Sequence, residues 1–378
     1  MSLETTITRA WQRKAVWLWL LLPVSWLYGF MTILRRQLYQ LGWISSYRAP
    51  IPVMVIGNIT VGGSGKTPLI MSLVSYLQAR GVSVGVISRG YGGDSSQMPA
   101  LVTADSLPRE VGDEPCLIVR TTGVALAVCP NRQQAIEMLL AAHPDLQLII
   151  ADDGLQHYAL QRDIEWIVVD VARGFGNQQL LPTGFLREPL SRLQDATVIE
   201  HSKPETILNS KNSKSGVMSP RLTMQLHPDN LQLLWQPELA ASQLQMPTSG
   251  MSVHAVSGIG YPQRFFMTLQ TLGFAVLEHP YPDHHDFSLN ELLQYQQHPV
   301  IVTSKDAVKI RALLMQHDFG GLSNNASSNS SNSPINDAIH ELLSRLWVLP
   351  VTADLSQACY QTLNQQLKKL GIALASVR

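Results

Sequence analysis

A mixed α/β fold, three layers deep in its first half and followed by a smaller α/β unit, is what this sequence predicts, on three observations. Apolar runs at residues 53–56, 82–87, 147–151 and 164–169 are short and do not alternate with polar residues, as strands buried on both faces of a parallel sheet read. Helix-period segments separate them, the spacing of strand-helix-strand units. The first run turns directly into Thr60-Val61-Gly62-Gly63-Ser64-Gly65-Lys66-Thr67, which opens a helix, and strand, glycine-rich loop and helix in that order make a phosphate-binding P-loop.

The 378 residues are long for one compact unit, and two domains is the natural expectation. With 45% hydrophobic and 15% charged residues and a formal net charge of zero, no basic surface marks a general nucleic-acid binder, and no nucleic-acid partner is expected. The three cysteines, Cys116, Cys129 and Cys359, are widely spaced and contain no CxxC pair. They read as reduced, buried thiols of a cytoplasmic protein.

In chain order, the first segment is the strongest compositional anomaly. Residues 15–34 carry no charge over twenty positions, enough to cross the hydrocarbon core of a bilayer. Pro23 and Gly29 interrupt the run. Trp17, Trp19, Trp26 and Tyr28 favour the headgroup boundary, and basic residues flank both ends (Arg9, Arg13 and Lys14; Arg35, Arg36 and Arg48). Flanks of one sign on both sides give no orientation, whereas a helix lying in the interface satisfies both. No small-residue cleavage site follows. Residues 1–45 are expected to form a membrane-associated helix, in-plane or spanning, with a buried core helix as the alternative.

Residues 46–195 are expected to form the nucleotide-binding domain. In the P-loop the glycines let backbone N–H groups turn inward around an anion, Lys66 reaches the terminal phosphates, and the Thr67 hydroxyl ligates Mg²⁺. Thr60 stands where the P-loop pattern wants glycine. The second strand runs into Ser88-Arg89-Gly90-Tyr91-Gly92-Gly93, a glycine-rich loop where doubly wound sheets place ligands. Gly112-Asp113-Glu114-Pro115 opens an apolar segment, and its acids suit a first helical turn. The strand at 147–151 ends in Asp152-Asp153-Gly154-Leu155-Gln156-His157. An acid directly after a buried strand downstream of a P-loop is the arrangement that holds Mg²⁺, and two adjacent carboxylates favour a cation beside them. Arg187-Glu188 lies between proline turns. It reads either as a surface ion pair or as an arginine that stabilises a transferred phosphoryl group.

Residues 196–378 are expected to form the smaller α/β domain, with strands at 196–199, 222–226, 253–257, 275–277, 300–303 and 347–349. A Ser/Asn-rich insertion at 320–334 lacks the apolar surface to fold and is expected to be disordered. Residues 279–287 gather His279, His284 and His285 with Asp283 and Asp286, a set open to metal binding or to proton handling across a cleft. Thr303-Ser304-Lys305-Asp306 only superficially resembles a guanine-reading motif, because its lysine and aspartate are adjacent.

Together these motifs, Gly57-Asn58 with Gly62-Gly63-Ser64-Gly65-Lys66-Thr67-Pro68, Ser88-Arg89-Gly90-Tyr91-Gly92, Gly112-Asp113-Glu114-Pro115, Asp152-Asp153-Gly154-Leu155-Gln156-His157, Leu186-Arg187-Glu188-Pro189 and Asp283-His284-His285, resemble the tetraacyldisaccharide 4'-kinase family. The resemblance implies an ATP- and Mg²⁺-dependent kinase acting on an acylated glucosamine disaccharide lipid at the cytoplasmic face of the inner membrane. It implies catalytic roles for Lys66, Asp113 as base, Arg187, and His284 or His285 assisting Asp113. Metal contacts fall to Thr67, Asp152 and Asp153, and substrate contacts to Arg89, Tyr91, His157 and Glu188. Phe185 departs from the family's usual proline, Ser304 from its usual glutamate, and the insertion after Gly320 is peculiar to this chain. The alternative is a P-loop GTPase or ATPase of the metallochaperone or partitioning type, a nucleotide switch. Such proteins often carry an extra lysine at the start of the loop or a correctly spaced guanine-reading motif, and this sequence has neither.

Overall fold

The computed structural model describes residues 15–194, 196–202, 221–235, 246–316 and 334–375, with Ile7, Ala10, Trp11 and Arg13; for 334–337 it describes the backbone alone. The strongly apolar strand β1 (Val53–Gly57) sits inside a nine-stranded sheet of order β14-β8-β7-β6-β1-β5-β2-β4-β3. Its members in chain order are β2 (Val84–Ser88), β3 (Ala100–Val102), β4 (Ala125–Val128), β5 (Leu148–Asp152), β6 (Ile164–Asp170), β7 (Thr197–His201) and β8 (Thr223–Pro228), with β14 (Val351–Leu355) from the far end of the chain. From β8 to β4 the neighbours run parallel; β3 and β14 pair antiparallel at the edges. Ile56 lies opposite Asp152, Ile87 opposite Ala151, and Asp170 opposite His201. One edge of the sheet therefore presents Gly57, Ser88, Asp152, Asp170 and His201 together, at the strand ends where open α/β sheets bind ligands.

Helices cover both faces. On one lie α2 (Lys66–Gln78), α3 (Asp113–Thr122) and α8 (Gln357–Lys369), through Leu73, Ile118 and Leu363 among others; on the other α4 (Arg132–Ala142) packs Ile136 and Leu139. Leu73 is fully enclosed, and trimming such a leucine to alanine costs ~2–5 kcal/mol.

A second sheet of five strands, order β11-β10-β12-β13-β9, carries the smaller unit. It comprises β9 (Gln232–Leu233), β10 (Ser252–Ser257), β11 (Ala275–Pro280), β12 (Val300–Thr303) and β13 (Leu346–Leu349), with α5 (Pro262–Thr271), α6 (Ser304–Gln316) and α7 (Pro334–Arg345). The sheets do not divide at residue 195. Strands β7 and β8, expected in the smaller unit, belong to the large sheet, where β7 pairs with β6 and β8 with β7; β14, a strand the sequence does not predict, joins them by pairing with β8 over five positions. Helix α8 follows β14 back, and Gln366 Oε1 accepts from Trp166 Nε1 at 2.9 Å. Residues 203–220 and all but the last residue of the insertion expected at 320–334 lie outside the described residues.

The N-terminal segment is a 3-10 turn (Val16–Leu21) leading into α1 (Leu22–Gln40). Pro23 sits in the first turn of α1, where its missing N–H costs nothing, so it starts the helix instead of breaking it. The combined helix Val16–Gln40 is long and apolar enough to cross a membrane, and 17% of its most apolar window is buried, whereas a helix of the core is mostly buried. A narrow stripe docks it: Ser25 Oγ donates to the Leu180 carbonyl at 3.0 Å, Tyr28 Oη to the Arg187 carbonyl at 3.1 Å, and a side chain at Gly29 would meet Leu180 at 2.7 Å. Leu20, Trp26, Leu27 and Phe30 point outward, between 61% and 82% exposed.

Candidate active site

The P-loop conformation explains its one unorthodox residue. Gly62 and Gly65 adopt φ of 95° and 92°, a region closed to other residues. Thr60 instead bridges Leu186 in extended form, so no glycine is needed there. The loop is braced against the segment that carries Arg187: Val61 N donates to the Phe185 carbonyl at 2.8 Å and Arg187 N to that of Ile59 at 2.7 Å.

Lys66 Nζ stands 3.2 Å from Asn58 Oδ1 and 3.4 Å from Asp153 Oδ1. Arg187 approaches the other Asp153 oxygen at 2.9 Å. Burial works to raise Asp153, but the charges of Lys66 and Arg187 hold it down at about 2. Its neighbour has the opposite environment. Burial first, then Glu114 and Asp153, push Asp152 up to about 7. Ser88 Oγ donates to Asp152 Oδ2 at 3.3 Å, while Oδ1 is buried without a hydrogen-bond partner among the described residues. An orphaned carboxylate oxygen at the sheet edge, within reach of the P-loop lysine's charge, fits a divalent cation.

Across from this, Asp113 occupies the first turn of α3, placed by Gly112 at φ 95°, where a Cβ would lie 2.6 Å from the Tyr91 carbonyl oxygen. Its Oδ2 is 3.0 Å from Nδ1 of His284, a residue of the smaller unit held at φ 59°. Burial pushes Asp113 up, yet the His284 hydrogen bond and the charge of Lys305 prevail and lower it. His284 is raised: burial works against protonation, and the bond to Asp113 outweighs it. The structure thus joins Asp113 to His284, 171 residues apart. His285 turns away, its Nε2 3.2 Å from Glu291 Oε1 and its ring stacked on Tyr281 at 4.4 Å.

The expected substrate residues divide. Tyr91 is 63% exposed with its ring 4.8 Å from that of His284, so it lines the mouth of the cleft. Arg89 is exposed, and His157 is pushed down to about 4 by burial and then by Arg132, Arg162, Arg35 and Arg89. Such a surround favours an anion. Glu188 does not face the cleft. It is 1% exposed, accepts from Gln156 Nε2 at 2.9 Å and Tyr158 Oη at 2.8 Å, and pairs with Arg192 at 3.2 Å, which makes it a brace for the loop after β5. Three contributors escaped the sequence reading: Asn58, Ser88 and Lys305. Asn58 and Ser88 lie within the P-loop and second glycine-rich motifs, and the stretch Thr303-Ser304-Lys305-Asp306 carries no local signal for the partners Lys305 meets across the cleft. Asp306 beside it is fully buried, accepting from Gly258 N and Thr303 Oγ1.

A P-loop lysine, an orphaned acid at the sheet edge and an aspartate-histidine pair closing over them define a class, the P-loop phosphotransferases. Comparison with known proteins narrows it. The chain belongs to the tetraacyldisaccharide-1-P 4'-kinase family, whose model matches residues 17–368. A tetraacyldisaccharide 4'-kinase of Psychrobacter arcticus is 67% identical over 383 residues, covering 100% of this chain and 98% of the relative. The enzyme of that name from Ectopseudomonas mendocina is 44% identical over 312 residues, 82% of this chain and 90% of the relative. Among solved structures, the Aquifex aeolicus protein of the same family, in complex with ATP, matches the fold with a TM-score of 0.65 at 23% identity, over 93% of this chain and 98% of that one.

Proposed function

We propose that this protein transfers the γ-phosphoryl group of ATP to the 4'-hydroxyl of a tetraacylated glucosamine disaccharide 1-phosphate, giving lipid IVA, at the cytoplasmic face of the inner membrane. The observation that carries the reading is the 3.0 Å contact of Asp113 with His284, which closes the smaller unit over the P-loop edge. Family membership sets aside the nucleotide-switch alternative.

In this mechanism the P-loop amides and Lys66 hold the phosphates, and the acceptor oxygen bonds to the γ-phosphorus as the bond to the β,γ-bridging oxygen breaks and ADP leaves. The hydroxyl proton passes to Asp113, which His284 orients. A loose phosphoryl transition state needs aim more than strong basicity, so a carboxylate lowered by its neighbours suffices. Arg187, fixed on Asp153, neutralises charge on the moving group. Thr67 and Asp152 would hold Mg²⁺, which when bound neutralises the phosphate oxygens; Asp153, already matched by two cations, serves as their anchor. The Arg35 and Arg89 side of the cleft suits the substrate's own 1-phosphate. The outward apolar face of α1 would lie in the bilayer, so the lipid reaches the cleft without leaving the membrane.

The test is ADP release in detergent mixed micelles with and without the disaccharide lipid. Release that rises with the lipid and is lost in Lys66→Ala supports the reading. Release indifferent to the lipid, from folded protein, overturns it.

A further inference from the structure

Lys305 opens α6 on the smaller unit and crosses the cleft. Its Nζ lies 3.2 Å from Glu114 Oε1, 3.3 Å from Asp283 Oδ1, 3.4 Å from His284 Nε2 and 3.8 Å from Asp113 Oδ2, with the side chain 15% exposed. One ammonium thus meets three carboxylates and an imidazole. Burying it is costly unless each partner is placed for it. A surface ion pair would not need this arrangement.

The chemistry of the contact fixes a proton. An ammonium only donates, so the His284 Nε2 that faces it must offer a lone pair, and the ring proton then sits on Nδ1, where it donates to Asp113 Oδ2. Asp283 Oδ1, 3.8 Å from Nε2, would draw the opposite tautomer, but Lys305 engages that same oxygen. The contacts to Asp113 and Glu114 also tie the first turn of α3 to the smaller unit.

We propose that Lys305 is a positioning residue for the base: it holds His284 in the tautomer that aims Asp113 and couples that alignment to the meeting of the two units. The proposal rests on the reading of Asp113 as base. The groups facing the pair are Lys305, Lys309 and Asp283 from the smaller unit and Glu114 from α3, with the Tyr91 ring against His284. The positive charge of Lys305 keeps both Asp113 and His284 from taking up protons as readily as they otherwise would. Without it both protonate at higher pH, and because the active form has a free base, the acid limb of the rate profile moves up.

The experiment measures kcat and KM for both substrates across pH in mixed micelles for wild type, Lys305→Met, Lys305→Arg and Asp113→Asn. Lys305→Met is expected to lower kcat by roughly 10-fold or more, leave KM for ATP within about threefold and raise the acid limb by about one pH unit. Lys305→Arg, which retains charge and donors, should recover part of kcat with its limb near wild type. An unmoved limb in Lys305→Met overturns the proposal, as do Arg and Met variants that behave alike. If Lys305→Met does not fold, the Arg variant decides alone: a limb displaced as far as one pH unit overturns the proposal, and a limb near wild type supports it. Full activity in Asp113→Asn would instead overturn the base assignment, so the two failures are distinguishable.

Discussion

Removing the imidazole that meets Asp113 should act only through Asp113. General-base groups contribute roughly 10²–10⁴ in rate, so Asp113→Ala is expected to lower kcat by that factor with ATP affinity little changed. The His284 contact is a charge-assisted hydrogen bond of 3.0 Å to a carboxylate 5% exposed, and such bonds contribute about 1.5–3 kcal/mol, or roughly 10- to 150-fold. His284→Ala should therefore fall in that range, and the double variant should be no slower than Asp113→Ala alone. His285→Ala should stay within about threefold of wild type, because its ring is committed to Glu291 and Tyr281. The assay is initial-rate phosphorylation of the lipid in mixed micelles at saturating ATP, with each variant's melting temperature as a folding check. Multiplicative losses for Asp113 and His284, or a His285 variant as slow as the His284 one, would refute the pairing.

Gly112→Ala forces a Cβ to 2.6 Å from the Tyr91 carbonyl oxygen at φ 95°; denaturant titration should show at least about 2 kcal/mol lost, and an unchanged midpoint would contradict the placement of Asp113. Asp153, held at about 2 in the fold, contributes stability that is complete above its ordinary range near ~4 and is lost as pH falls from there through 2. Acid unfolding of Asp153→Asn should accordingly be flatter across that window than that of wild type. Leu20→Glu with Leu27→Glu, on positions 82% and 62% exposed, should weaken co-sedimentation with anionic vesicles by roughly 10-fold or more while leaving the melting temperature in place; undiminished binding would remove α1 from the membrane contact.

What the sequence revealed tracks how local each signal is. The P-loop, its strand and the acid that ends β5 are contiguous motifs whose chemistry is written in adjacent residues, and the strand, loop and helix they predict are the elements observed. The Asp113–His284 pair joins distant segments, so it was legible only through a resemblance, and the choice between His284 and His285 turns on a backbone at φ 59° that no spacing encodes. Glu188 was misjudged because an acid beside an arginine in a motif does not reveal that Gln156, Tyr158 and Arg192 enclose it. The return of β14 and α8 to the large sheet escaped for a related reason: the pairing of β14 with β8 spans the smaller unit, and strand periodicity does not name a strand's partner. Lys305 has no local signature, since its four partners come from both units.

The proposed function requires that two units together form one phosphoryl-transfer site for a lipid acceptor. Its most direct measurement is the product of the wild-type reaction run with γ-labelled ATP and the disaccharide 1-phosphate, extracted and analysed by phosphorus NMR. A second phosphomonoester at the 4'-position, labelled and equal in amount to the ADP formed, is the predicted result. ADP accompanied by labelled inorganic phosphate and an unmodified lipid would contradict it.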